Sequence, residues 1–208
     1  MALLEKEGLR YPSQPALEIF KQHGASIDGD IVRFSEELLM KYVGKAPSTF
    51  LMEAKNSDYS LDMGNGAHYA VPAYGAPYVQ DFEGDLRYST LKDFIYFLKQ
   101  VESLKEFKIN GGILCQPNDC PSECVTLLMW YAILRGSEKV LFCPAGSEKE
   151  TKAMMEMGAA VFGGKENFSR SAKSVYLVDS ISPLQMDPRT VDVIRVLAEY
   201  RQPFSFTS

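Results

Sequence analysis

S-T-L-K-D-F-I-Y-F-L-K-Q-V at residues 89–101, I-N-G-G-I-L-C at 109–115 and K-V-L-F-C at 139–143 decide the fold class. The first stretch sets Leu91, Phe94, Ile95, Leu98 and Val101 at helical spacing behind Ser89 or Thr90, which predicts a capped helix with one apolar stripe. The other two are short β-rich runs separated by a second helical length. The rhythm continues towards the C-terminus. Ser147 with Glu150 three residues on is a capping box for a helix carrying Ala153, Met154 and Met157. Ser174 to Val178 is another strand, Asp187-Pro188 starts a helix with Val191, Ile194, Leu197 and Ala198 inward, and a last strand begins at Phe204. Alternating βα units build a parallel sheet, so the class is α/β. If the units form a (β/α)8 barrel of about 250 residues, the 208 residues here stop after about the fifth strand, with an inner face that something must cover.

Working back from residue 89, residues 56–88 are rich in glycine, proline and tyrosine, which predicts a hairpin, with His68 as a strand residue within it. Residues 1–55 read as a small helical preface. Ser13 and Pro15 open one helix that Gly24 ends, and Ser35 caps another with Glu36 and Glu37 facing the positive end of its dipole. The expected division is therefore a helical extension over 1–55 and a hairpin plus partial barrel over 56–208.

Charge excludes some functions. With 22 Lys+Arg against 27 Asp+Glu the chain carries -5, and it has no basic run, so it lacks the counterion-releasing surface that nucleic-acid binding needs. The longest apolar stretch, Val125 to Leu134, is half a bilayer span, and residues 1–10 lack a secretory pattern, so a soluble cytoplasmic protein is expected. Cys115, Cys120, Cys124 and Cys143 are too few for a disulfide scaffold. Cys120 and Cys124 would share a helix face if a helix begins near Pro121, but without a C-x-x-C pair or a nearby histidine, reduced thiols outweigh zinc.

In parallel sheets chemistry gathers at the carboxyl ends of strands. That places Gln116, Asp119, Glu123, Asp179 and Ser182 at a mouth able to take a small polar or charged molecule. Asp119 and Glu123 are equally explained as first-turn helix charges. Tyr69, Tyr74 and Tyr78 lie near Asp62 and Asp81 in sequence, and aromatic faces with a carboxylate suit a quaternary ammonium, which cannot donate hydrogen bonds; sheet packing is the commoner use of each ring. No P-loop and no G-x-S-x-G elbow is present, and Gly64-Asn65-Gly66 is a weak trace of a nucleotide loop.

The ordered pieces resemble the trimethylamine methyltransferase family of corrinoid-dependent enzymes. A-L-E-I-F-K-Q-H-G at 16–24, D-G-D-I-V-R-F at 28–34 and A-P-S-T-F at 46–50 are similar to that family's N-terminal helix, turn and strand. The segment 72–91, Gln116-Pro117 with Asp119 and Pro121, V-F-G-G at 161–164 and Ser182-Pro183-Leu184 follow in the family's order. Two positions depart from its pattern: Pro72-Ala73-Tyr74-Gly75 stands where G-P-G-G is usual, and Asp179 and Ile181 stand where asparagines are usual. The resemblance implies a TIM-barrel enzyme that moves a methyl group from a methylated, often quaternary, amine to a corrinoid (cobalamin) carried by a partner protein. Joined with the aromatic and carboxylate residues above, it leads to a reading with Tyr74 near the cation and no catalytic residue assigned. An isolated part of such an enzyme is expected to be inactive. Two other readings stand beside it: a non-catalytic remnant acting by homo-oligomerisation across open sheet edges, and an S-adenosylmethionine enzyme resting on Gly64 and Gly66 alone.

Overall fold

A computed structural model describes residues 2–207. The chain begins with helix α1 (Ala2–Lys6), strand β1 (Leu9–Arg10), α2 (Gln14–Gln22), β2 (Ser26–Asp28), β3 (Ile31–Arg33) and α3 (Glu36–Val43). Two hairpins follow, β4 (Phe50–Met52) with β5 (Leu61–Met63), and β6 (Tyr78–Gln80) with β7 (Leu86–Tyr88). The alternating part runs α4 (Leu91–Ser103), β8 (Ile109–Gly111), α5 (Val125–Gly136), β9 (Val140–Phe142), α6 (Glu148–Val161), α7 (Lys165–Phe168), β10 (Ser174–Ile181), β11 (Gln185–Met186), α8 (Val193–Glu199) and β12 (Phe204–Thr207).

Most helix starts obey the side chains that announce them. Ser13 accepts from the Ala16 N–H and Ser35 from the Leu38 N–H, while Thr90 with Asp93 and Ser147 with Glu150 both close full capping boxes. Two starts differ from expectation. The carboxylate of Asp187 is taken by the Arg189 backbone N–H and guanidinium, a local side-chain to backbone turn, and α8 begins only at Val193. The residues after Pro121 likewise form a turn, so Cys124 precedes α5 instead of sharing a helix face with Cys120. All four thiols are free, with Cys115 and Cys143 buried.

The expectation of a barrel cut after its fifth strand is wrong. Among the described residues there are eight α-helices and one eight-stranded sheet in the order β2-β3-β1-β11-β10-β9-β8, with β12 paired to β10. Strands β8, β9, β10 and β12 are parallel, as the βα rhythm requires. The rest comes from long-range pairing. The far end of β10 turns through Ser182–Leu184 and returns antiparallel as β11, which pairs with β1 of the N-terminal segment; β1, β3 and β2 then extend the sheet. These short strands lie outside the βα rhythm, and nothing in their local sequence says which distant strand each one joins.

Alternation along the parallel strands divides two cores. Leu141, Cys143, Tyr176 and Val178 face the helices, where Trp130, Ile133, Met154 and Met155 bury fully, whereas Ile109, Val140 and Phe142 face the other way. The β4–β5 hairpin covers that second face with Met52 and Leu61, each 1% exposed, and the Glu53 N–H donates to the Ala172 carbonyl at 2.7 Å to fix it there.

The entry ends of the parallel strands are locked by polar side chains. Lys108, Lys139 and Lys173 each stand one residue before a strand. Fully buried Lys139 donates to the Val101 and Leu104 carbonyls at the end of α4, both at 2.6 Å, and Lys55 donates to the Leu134 carbonyl of α5. These lysines meet the negative ends of two helices, and burial lowers the pKa of both. Lys173 reaches Glu53 at 2.6 Å. Gln202, 4% exposed, accepts from the N–H groups of Lys173 and Ser174 and donates to the carbonyls of Phe168, Ser171 and Tyr200.

Candidate functional site

The opposite, carboxyl ends of β8, β9 and β10 are built differently. Gly111 and Gly112 follow Ile109-Asn110 at φ +112° and +75°, and the Gly112 N–H donates to the Phe142 carbonyl at 2.6 Å. A side chain at Gly112 would lie 2.9 Å from the ring of Tyr74 and from Phe142, so the backbone there makes room for both rings. The segment carrying Tyr74 is hung from the strand end: the Gly75 N–H donates to the Ile113 carbonyl at 2.6 Å and the Gln116 N–H to the Ala76 carbonyl at 2.8 Å.

Tyr74 is the centre of this arrangement. Its ring lies 5.3 Å from that of Phe142, and its oxygen accepts from the Ala145 N–H at 3.0 Å in the loop after β9. Burial pushes its phenol up to about 12; the Ala145 hydrogen bond opposes this, and the nearby Cys143 and Asp179 add to it. Asp179, half-buried on β10 in register with Thr207 of β12, thus contributes its field to the same place as Tyr74. An aromatic face and a carboxylate in a partly desolvated recess attract a cation without hydrogen bonds from it. Cys143 and Tyr176, just below, are fully enclosed, and burial raises both far above their ordinary values, so neither is a thiolate or phenolate near neutrality.

The remaining expected residues fall into different roles. Gln116 is half-buried beside this recess, with its carbonyl accepting from Ser89 and Asn118. Asp119 accepts from the Leu91 N–H at 2.8 Å and so caps α4, not the helix that follows it in sequence. Glu123 is exposed in the turn before α5, and Ser182 is exposed in the turn between β10 and β11. The three tyrosines are not one cage: Tyr69 donates to the Asp62 carbonyl and packs under the β4–β5 hairpin, while Tyr78 pairs with Tyr88 at 4.8 Å. His68 lies outside the strands, in the loop after β5. Phe142, Gly112 and Ala145 were missed as site residues. The double glycine at 111–112, inside a β-rich run, was the available signal.

Metal chemistry has no ready donor set. Among the described residues no three His, Cys, Asp or Glu side chains are grouped to hold an ion, and His23 is bonded to Tyr42 between α2 and α3. No described helix is long and apolar enough to cross a membrane.

Residues 1–208 match the family model described as trimethylamine methyltransferase. The chain belongs to that family. It is 29% identical over 97% of its length to a glycine betaine methyltransferase of Desulfitobacterium hafniense, covering 42% of that protein. It is 30% identical over 98% of its length to a proline betaine:corrinoid methyltransferase of Eubacterium limosum, and 26% identical to an L-carnitine:corrinoid methyltransferase of the same organism, covering 43% and 44% of them. The chain therefore spans less than half the length of these relatives.

Proposed function

We propose that this chain is part of a methyltransferase that takes a methyl group from a methylated, tertiary or quaternary, amine and passes it to a corrinoid carried by a partner protein. Its share of the site is the strand-end recess, with Tyr74, backed by the buried Phe142 ring, offering an aromatic face to the cationic nitrogen and Asp179 offering charge. Gln116 and Ser182 line the rim, and Asp119 and Glu123 add negative charge around it. The carrying observation is that Tyr74 is held over the strand ends, its oxygen on the Ala145 N–H and its ring on Phe142, within the field of Asp179. Three relatives are named for transfer from quaternary ammonium compounds, two of them to a corrinoid, which fits a recess built for a cation without N–H donors.

The corrinoid, carried by its own protein, is the second substrate of this reaction. When delivered, it supplies the nucleophile that accepts the methyl group. The residues here hold the nitrogen, orient one methyl outward and keep water from the reacting face. Because the relatives are longer, the whole reaction is assigned to the complete protein and cation binding to this part of it. Binding is tested by the broadening of the tetramethylammonium methyl signal in proton NMR. Tyr74→Ala and Asp179→Asn should each weaken it roughly tenfold. Equal broadening in all three proteins, or none in the unaltered one, removes the recess as a cation site.

A further inference from the structure

Hairpin β6–β7 ends in D-F-E-G-D, residues 81–85. The tip is well braced: the Asp85 N–H donates to the Asp81 carboxylate at 3.0 Å, the Gly84 N–H to the Asp81 carbonyl at 3.1 Å, and the Gln80 amide to the Gly84 carbonyl at 3.1 Å. On this ordered tip Phe82 is 101% exposed, as open as in an extended chain, between carboxylates at 81, 83 and 85. A lone exposed ring is ordinary. A ring held out by a rigid, acidic turn has the form of an anchor.

A receptor of matching chemistry lies on the same molecule. Between α4 and α5 is a cavity of about 380 Å³ with an apolar floor that includes Ile95, Leu98, Leu128 and Ala132. Its rim carries Lys99 and Arg135, and no carboxylate lines it. Arg135 is laid along Tyr131, its guanidinium 5.8 Å from the ring centroid and donating to the Tyr131 oxygen at 3.2 Å. Hairpin and groove flank one helix: Arg87 ties the hairpin to Asp93 in the first turn of α4 at 2.7 and 2.8 Å, and the groove opens beside the same helix, with Tyr96, 59% exposed, on α4 as well.

We propose that the Phe82 tip of one copy seats in the α4–α5 groove of a second copy, with Asp81, Glu83 and Asp85 against Lys99 and Arg135. Because tip and groove flank the same helix, the exchange is reciprocal: a two-fold axis beside α4 uses both pairs at once and closes the assembly as a dimer. The ring supplies the buried anchor, and the opposed charges set register and speed encounter. This association is independent of the methyl-transfer reading.

Sedimentation equilibrium of the 208-residue chain, at low and at high ionic strength, tests it. A reversible dimer that weakens with added salt is expected. Phe82→Ser should raise the dissociation constant roughly tenfold or more. Glu83→Lys with Asp85→Lys, and separately Lys99→Glu with Arg135→Glu, should each weaken the dimer, and joining both sets in one chain should restore it. All five residues are exposed, so these variants keep the fold, which circular dichroism checks. A chain that stays monomeric overturns the proposal. So does a dimer indifferent to Phe82→Ser, which would point to another face such as the outer edge of β12, and so does a charge-reversed chain that fails to recover.

Discussion

The two ends of the parallel strands are made of similar residues put to opposite uses. At the entry end, Lys139, Lys55, Lys173, Glu102 and Gln202 spend their polar atoms on backbone groups or on neighbouring side chains such as Glu53 and Ser137. At the exit end, Tyr74, Gln116 and Asp179 surround a recess opened by two glycines. The contrast follows from what each end must do. Helix C-termini converge on the entry end with unpaired carbonyls, and satisfying buried groups there holds the layers together. The exit end receives glycine turns and helix starts, which satisfy themselves locally through capping boxes and leave side chains for a ligand. Stability should therefore reside at one end and binding at the other.

The hardest test of that division is Gln202→Leu. It removes the shared partner of the Lys173 and Ser174 N–H groups and of three carbonyls, and urea unfolding should show a loss of about 3 kcal/mol or more. A loss below about 1 kcal/mol would mean that the entry end is no stability centre. Gly112→Ala should rank next. A left-handed backbone position costs a side chain about 1–2 kcal/mol, and its methyl would push against the Tyr74 ring, so tetramethylammonium binding should fall with stability.

The ends should also separate by pH. The carboxyl of Glu53 is held below its ordinary value, chiefly by Lys173 and then Ser171, so its contribution is whole above the unfolded pKa and is lost as pH falls through the lower folded value. Glu53→Gln should flatten the acid limb of stability. The phenol of Tyr74 is raised to about 12, so its contribution is whole below the ordinary value near 10 and is lost as pH climbs through about 12. Tyr74→Phe should flatten the alkaline limb and remove one late step from the tyrosinate absorbance titration. If both variants move the same limb, the two ends are not distinct. The smallest effect is expected at Asp119→Ala, about 0.5–1 kcal/mol from the lost contact with the Leu91 N–H, with cation binding reduced only slightly. A binding loss matching that of Asp179→Asn would move Asp119 from cap to site.

Legibility followed the same line. Ser13, Ser35, Thr90 and Ser147 were readable as caps because a cap is a contract between residues three apart. The four parallel strands were readable because apolar runs recur at βα spacing. Asp119 was readable as a helix charge but not as the cap of the preceding helix, since its partner Leu91 is 28 residues away. The tyrosines at 69, 74 and 78 were grouped by sequence nearness, and the hairpins sent each to a different neighbour.

The sequence by itself determined the alternating α/β rhythm, most of the helix starts and the family, because periodicity and capping are local demands on one or a few residues. Only the tertiary structure decided that β1, β2, β3 and β11 extend the sheet to eight strands, that the β4–β5 hairpin covers its second face, and that Tyr74 meets Phe142, Ala145 and Asp179. Those arrangements join segments tens of residues apart, and no local pattern encodes a pairing whose free energy appears only when the packed surfaces meet.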